Sequence, residues 1–308
     1  MKLSISTASL LVARGQTAVR DTPEVMEQLC SCGFEAMDVS FCLHDRENYI
    51  LGREDWQHQV ERIGDTAARQ GVELYQSHLP FVSKFAMSVN HKFRESGYRE
   101  YFDECVRRAC VANGMLGIKW SVAHPLSFPE LNFERSASLE ANRDYYAPFA
   151  ELCIKNGTGI AFENAVPSLK RDQPVRYCQH YEELAELCDS YDDDQVGICW
   201  DTGHANQMKL DQGRAIRVLG GRIKCLHLND NHYGTRDEHL LPYMGEVDWD
   251  AVIRALVETG YDGTLNYETV AVTRTASPEY QDHLMRATVD NGQLLRKQFE
   301  QIRLEISR

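Results

Sequence analysis

VGICWDTGHAN, residues 196–206, changes its hydrophobic period partway along. Residues 196–201 are β-rich and apolar up to a terminal acid, which reads as a buried strand ending at Asp201. Asp201 and His204 are three apart where a helical turn begins, so both side chains reach the same side, and Gly203 between them permits a tight backbone path. The question is whether other strands end the same way.

Seven further runs share the strand character: KLSIST (2–7), AMDVSF (36–41), VELYQSH (72–78), IKWSVAH (118–124), TGIAFEN (158–164), IKCLHLN (223–229) and GTLNYET (263–269). Between them lie stretches of helical period, such as TPEVMEQLCSCG (22–33), DWQHQVERIGDTAARQG (55–71) and YFDECVRRACVANG (101–114), many ending in Gly, which tolerates the left-handed helix cap. Strand and helix alternating in this way predict a parallel sheet with helical crossovers, and eight units that close on themselves make one (β/α)8 barrel. The expected domain is a single TIM barrel over residues 1–308, with long strand-to-helix loops at about 79–98, 125–143, 165–179, 229–247 and 270–282. Those loops all leave the carboxyl ends of the strands, where barrel enzymes build their sites.

Composition narrows the function classes. Hydrophobic residues are 43% and charged residues 26% of 308, as in an ordinary globular protein. A net charge of −13 and a pI near 5.3 disfavour nucleic acid and anionic membranes as partners. No run approaches the ~18 apolar residues of a membrane span, and the first fifteen residues lack a signal-peptide pattern. Ten scattered cysteines read as free thiols, so the expected location is the cytoplasm.

Strand three ends at His78, four at His124, five at Glu163, six at Asp201 with His204 beyond, seven at His227 and eight at Glu268. Any one of these is ordinarily a satisfied polar residue or a solvated tip. Together on one rim they would crowd imidazoles and carboxylates into a small volume, a conflict that a divalent cation removes. Donors of this kind, with no thiolate nearby, suit one Mn²⁺, Zn²⁺, Co²⁺ or Fe²⁺ ion, with Mg²⁺ sharing the chemistry. Cys199 and Cys225 fall one layer deeper on the same face as Asp201 and His227 and read as core. His44, His58, His91, His180 and His283 sit among polar residues and read as surface. Lys84, Lys92 and Arg94 read as solvated loop charges. In KCLHLNDNHYGTRDEHLLPYMGEVDW (224–249), Asp237 and His239 lie out on the loop as candidates for a further ion or for substrate, Asp230 and His232 fall to supporting or surface positions, and Glu246 to the approach to the next helix.

The pieces FEN (162–164), WDTGH (200–204), HLND (227–230), DEHLLPYMGEVDW (237–249) and YET (267–269) resemble the xylose isomerase-like barrel superfamily, over nearly the whole chain. That superfamily includes sugar isomerases, ketose 3-epimerases, inosose dehydratases and endonuclease IV. The resemblance implies Glu163, Asp201, His227 and Glu268 as metal ligands, with Glu163 and Glu268 also serving as the acid–base pair that moves a proton alpha to a sugar carbonyl. It implies His204, His78, His124 and Arg236 as substrate contacts. The ketose 3-epimerases have an Arg six residues after the strand-seven His and a Glu six after the strand-five Glu, where this chain has Tyr233 and Leu169; Arg236 is the nearest substitute. A lyase of the same family therefore stays open, either inosose dehydratase-like or the catalytic subunit of a C-glycoside-cleaving pair with a small partner. Endonuclease IV carries nine metal-binding positions, matched here by His78, His124, Glu163, Asp201, His204, His227, Asp237, His239 and Glu268, so a three-zinc phosphodiesterase is the rival chemistry. A non-catalytic sugar-binding barrel is the third class, and a homo-oligomer is compatible with all three.

Overall fold

In the computed structural model, residues 1–12, 17–81, 95–127, 134–166, 176–235, 237–274 and 276–307 are described. Eight parallel strands form one sheet in the order β7-β6-β5-β4-β3-β2-β1-β8: β1 (Leu3–Ser6), β2 (Ala36–Ser40), β3 (Glu73–His78), β4 (Trp120–Ala123), β5 (Gly159–Glu163), β6 (Val196–Asp201), β7 (Ile223–His227) and β8 (Leu265–Tyr267). All eight lie inside the runs expected from the sequence. The ends of the sheet meet through an isolated parallel bridge, Leu228 to Tyr267, so the chain folds as a nearly closed (β/α)8 barrel.

The helices are α1 (Ala8–Leu11), α2 (Thr22–Cys32), α3 (Trp56–Gln70), α4 (Tyr98–Leu116), α5 (Arg135–Lys155), α6 (Tyr181–Asp189), α7 (Thr202–Gln207), α8 (Gln212–Leu219), α9 (Trp249–Glu258), α10 (Val270–Arg274) and α11 (Pro278–Ile306). Two loop assignments are corrected. The stretch 125–143 is already helical from Arg135, with buried Ser138 and Asn142 tying the new helix to the core. The stretch 270–282 contains α10 and the start of α11, which has Pro278 in its first turn, where a missing N–H costs nothing. No described helix is long and apolar enough to cross a membrane.

The fold positions its rim by strand register. β6 is buried along its whole length, as a parallel strand covered on both faces must be. Alternation sends Val122, Ala161, Cys199 and Cys225 inward as one packed layer with Tyr75. One step further along the strands, Asp201 pairs with His227 and Glu163 stands beside Cys199. Both thiols are thus core residues, and all ten cysteines are free. Between β2 and β3 the register shifts after Met37, so that Asp38 lies opposite Gln76.

Candidate functional site

The rim draws together three groups, the first two sharing Glu163, each with its candidate ligand atoms within 4.8 Å of one another: Glu163, Asp201, His227 and Glu268; His78, His124 and Glu163; His204, Asp237 and His239. All nine positions named from the sequence therefore share one mouth. Arg236, Leu169, His91, Lys84, Lys92 and Arg94 lie outside the described residues.

The first group is deepest. Nδ1 of His227 faces Glu163 Oε1 at 2.9 Å and Glu268 Oε2 at 3.5 Å. Asp201 is fixed at both oxygens: Oδ1 caps α7 by accepting from the His204 N–H at 2.7 Å, and Oδ2 accepts from Asn229 Nδ2, also at 2.7 Å. Asn164 clasps the Asp201 backbone from the side, accepting its N–H at 2.7 Å and donating to its carbonyl at 2.9 Å. Gly203 is required by this packing, because a Cβ there would overlap the Asn229 side chain.

In the second group, Nε2 of His124 and of His78 approach Glu163 Oε2 at 3.1 and 3.5 Å. In the third, Nε2 of His239 and of His204 approach Asp237 Oδ2 at 2.8 and 3.5 Å. Each of three rings uses its other nitrogen to donate to a backbone carbonyl: His78 to Leu79 at 2.9 Å, His204 to Asn164 at 2.8 Å and His239 to Glu268 at 2.7 Å. A ring held that way presents its free nitrogen to a cation in the neutral tautomer.

Electrostatics carry the same imprint. Burial opposes ionisation of Glu163, yet His227 and His124 outweigh it and hold the carboxyl well below the usual range. Burial pushes Asp201 up to about 6, with Glu163, Glu268 and Asp237 adding to the rise against His204. Burial drives His124 down to about 3. His204 goes the other way, to about 10, because Asp201 and Asp237 overcome its desolvation. The ion-pair partners of Glu163 and Asp201 among the described residues are all histidines. An O- and N-donor set that is largely buried and preoriented, with Glu163 and Asp201 paired to imidazoles among the described residues, fits a divalent cation.

A cavity of about 260 Å³ opens above these groups, lined by His78, His124, His204 and Glu268 together with Phe81 and Arg176 among others. That is the scale of one small molecule. A wider groove lined by Asp192–Asp194 lies before Val196 at the opposite, amino end of β6 and contains no rim residue.

Of the residues outside these groups, Asp230 takes the supporting place that the sequence leaves open, His44 departs from its surface reading, and Asp38 carries no reading from the sequence. Asp230 is fully buried, accepting from the N–H groups of Asn231 at 2.9 Å and Val247 at 3.0 Å and from Trp249 Nε1 at 2.9 Å. It pins the loop that carries Asp237 and His239. His44 is also buried, bonded to Tyr98 at 3.2 Å and edge-on to Phe102. Asp38, one layer beneath the rim and not singled out by the sequence pattern, reaches Nε2 of His227 at 3.2 Å.

Comparison with known proteins supplies the context. A family model described as "xylose isomerase-like TIM barrel" matches residues 26–290. An uncharacterized protein of Sinorhizobium fredii is 35% identical over 117 residues, which span 38% of this chain and 35% of that protein's length. An inosose isomerase of Bacillus velezensis is 23% identical over 240 residues, covering 75% of this chain and 81% of that one. Among solved structures, a D-tagatose 3-epimerase-like protein superposes with a TM-score of 0.74 at 23% identity, over 99% of this chain and 100% of the other, which speaks for the fold.

Proposed function

The chain belongs to the xylose isomerase-like TIM barrel family, and from that premise we propose that it is a divalent-metal-dependent isomerase or epimerase acting on a small sugar or sugar derivative. The observation that carries the reading is the pair of carboxylates, Glu163 and Glu268, that meet the same ring nitrogen of His227 at 2.9 and 3.5 Å beneath a cavity of sugar scale. Glu163, Asp201, His227 and Glu268 are the proposed ligands, and Mn²⁺ is the ion we propose for them. A bound divalent ion supplies Lewis-acid polarisation of a substrate carbonyl. Glu163, which its histidines keep ionised, accepts a proton from the carbon alpha to that carbonyl, and Glu268 returns one. His204, His78 and His124 line the cavity and orient substrate hydroxyls. A family lyase would use the same abstraction and then expel a leaving group, so product analysis separates the two.

A second reading is favoured by the two further groups, His78 with His124 and Glu163, and His204 with Asp237 and His239. Filled together with the first, they would suit three-ion phosphodiester chemistry, for which the net charge of −13 is a poor match to nucleic acid. The test is metal analysis of the purified protein followed by a keto-sugar panel assayed in deuterated water. One ion per chain with solvent deuterium entering a sugar carbon supports the first reading; about three ions with nicking of abasic duplex DNA supports the second. In Glu163→Gln and Glu268→Gln, turnover should fall by at least 10²-fold.

A further inference from the structure

The rings of His78, His204 and His239 are steadied by backbone carbonyls, whereas the fully buried His227 ring meets carboxylates instead among the described residues. Its Nε2 faces a carboxylate, Asp38 Oδ2, at 3.2 Å. Asp38 comes from β2, the strand whose rim position is Ser40 rather than an acid or a histidine. Both Asp38 and His227 are fully buried.

Asp38 occupies an unusual layer. Interior positions below a barrel rim are ordinarily filled by branched apolar side chains. Here the register shift between β2 and β3 sets Asp38 opposite Gln76, and Oδ2 gathers three donors: Gln76 Nε2 at 3.4 Å, Asn266 Nδ2 at 3.3 Å and the His227 ring. Asp38 Oδ1 accepts nothing among the described residues. A carboxylate half-satisfied in the core is a costly way to anchor two amides, because an apolar layer of the same shape would be at least as stable. The arrangement makes sense if the oxygen that is fully engaged has a task. Of its three donors, the imidazole alone has a second nitrogen on the rim.

We propose that Asp38 is a positioning residue for the metal centre: by accepting the Nε2 hydrogen of His227 it fixes the ring plane and tautomer that leave Nδ1 bare toward Glu163 and Glu268. The proposal rests on the reading of that group as a metal site. Outer carboxylates of this kind typically change metal affinity by about 10- to 100-fold.

The experiment titrates metal-free wild type and Asp38→Asn with Mn²⁺ and with Zn²⁺, and follows thermal unfolding of both apo forms. Asparagine keeps the shape and a neutral oxygen for Gln76 and Asn266 while removing the charge on His227. The expected result is metal binding weakened about 10-fold or more, with a small change in apo melting temperature. A loss smaller than about fivefold in a folded variant overturns the assignment while leaving the metal site standing. If wild type binds neither ion, the site reading and this one fall together. Should Asp38→Asn not fold, ¹⁵N-histidine spectra of Zn²⁺-loaded wild type decide: hydrogen on Nε2 and metal on Nδ1 support the assignment, and metal on Nε2 overturns it.

Discussion

Asp230→Ala tests the loop architecture most directly. The carboxylate accepts from two backbone N–H groups, of Asn231 and Val247, and from the indole of Trp249, at 2.9 to 3.0 Å. Asn231 is fully buried and Trp249 is 2% exposed, so the donors have no ready access to solvent. Hydrogen bonds to a charged acceptor are worth about 1.5–3 kcal/mol each, and the orphaned donors carry a desolvation penalty of about 1–3 kcal/mol each. Water entering the vacated volume recovers part of that loss. The expected cost is about 3–5 kcal/mol, a large share of the roughly 5–15 kcal/mol that stabilises a typical domain. Gly245 sharpens the argument, since a Cβ there would overlap Asp230 Oδ1: the loop backbone is already drawn in as far as it can go. Asp230→Asn should cost less, because one amide oxygen still accepts, although its NH₂ must then face a donor. Urea unfolding is the assay, with the midpoint falling at unchanged slope. A loss under 1 kcal/mol in Asp230→Ala would refute the idea that this carboxylate holds the loop.

Gly203→Ala should push Asn229 off Asp201, costing about 1–3 kcal/mol by overpacking and weakening Mn²⁺ binding by about 10-fold or more; an alanine variant that binds as well as wild type would contradict the packing account. Metal binding should weaken in acid: with Asp201 pushed up by burial to about 6 from an ordinary 3.8, a cation must displace its proton, so apparent affinity drops about tenfold per pH unit below 6. The same shift makes the metal-free fold keep a proton that the unfolded chain releases, a contribution fully present below pH 3.8 and lost as pH rises through about 6. Titrations between pH 5 and 7.5 check the first statement, and a flat profile denies it. Hydrogen exchange should find the Leu228 and Glu268 amides less protected than those of β5 in metal-free protein, with added Mn²⁺ slowing them; equal protection in both states would argue against a link between closure and site.

The barrel is legible in the sequence because its strands are short, apolar and evenly spaced, and because a period of two by itself sends residues like Asp201 and His227 to a common face. The convergence of the candidate site residues at strand ends is legible for the same reason. Asp38 is harder to see, since it sits mid-strand, although Ala36, Asp38 and Ser40 alternate on one face and an acid there is a signal that could have found it. Asp230 reads as a supporting or surface residue because its partners Val247 and Trp249 lie 17 and 19 residues further along, beyond the reach of any local pattern. His44, read as surface, is the one that misleads, its ring being held by Tyr98, 54 residues away. Polar residues whose partners are distant in sequence carry no local mark of burial.

The joint between the last two strands gives the fold a further property. Among the described residues, the backbone bonds that bridge it are the Leu228 N–H to Asn266 at 2.8 Å and the Glu268 N–H to Leu228 at 3.1 Å, immediately beside His227 and Glu268. In a hoop of eight staves, the clasp is where outward strain concentrates, and here the clasp and two of the proposed metal ligands are neighbours in the chain. Loosening that clasp would displace His227 and Glu268 together, so loss of metal binding on heating would gauge the integrity of the whole ring.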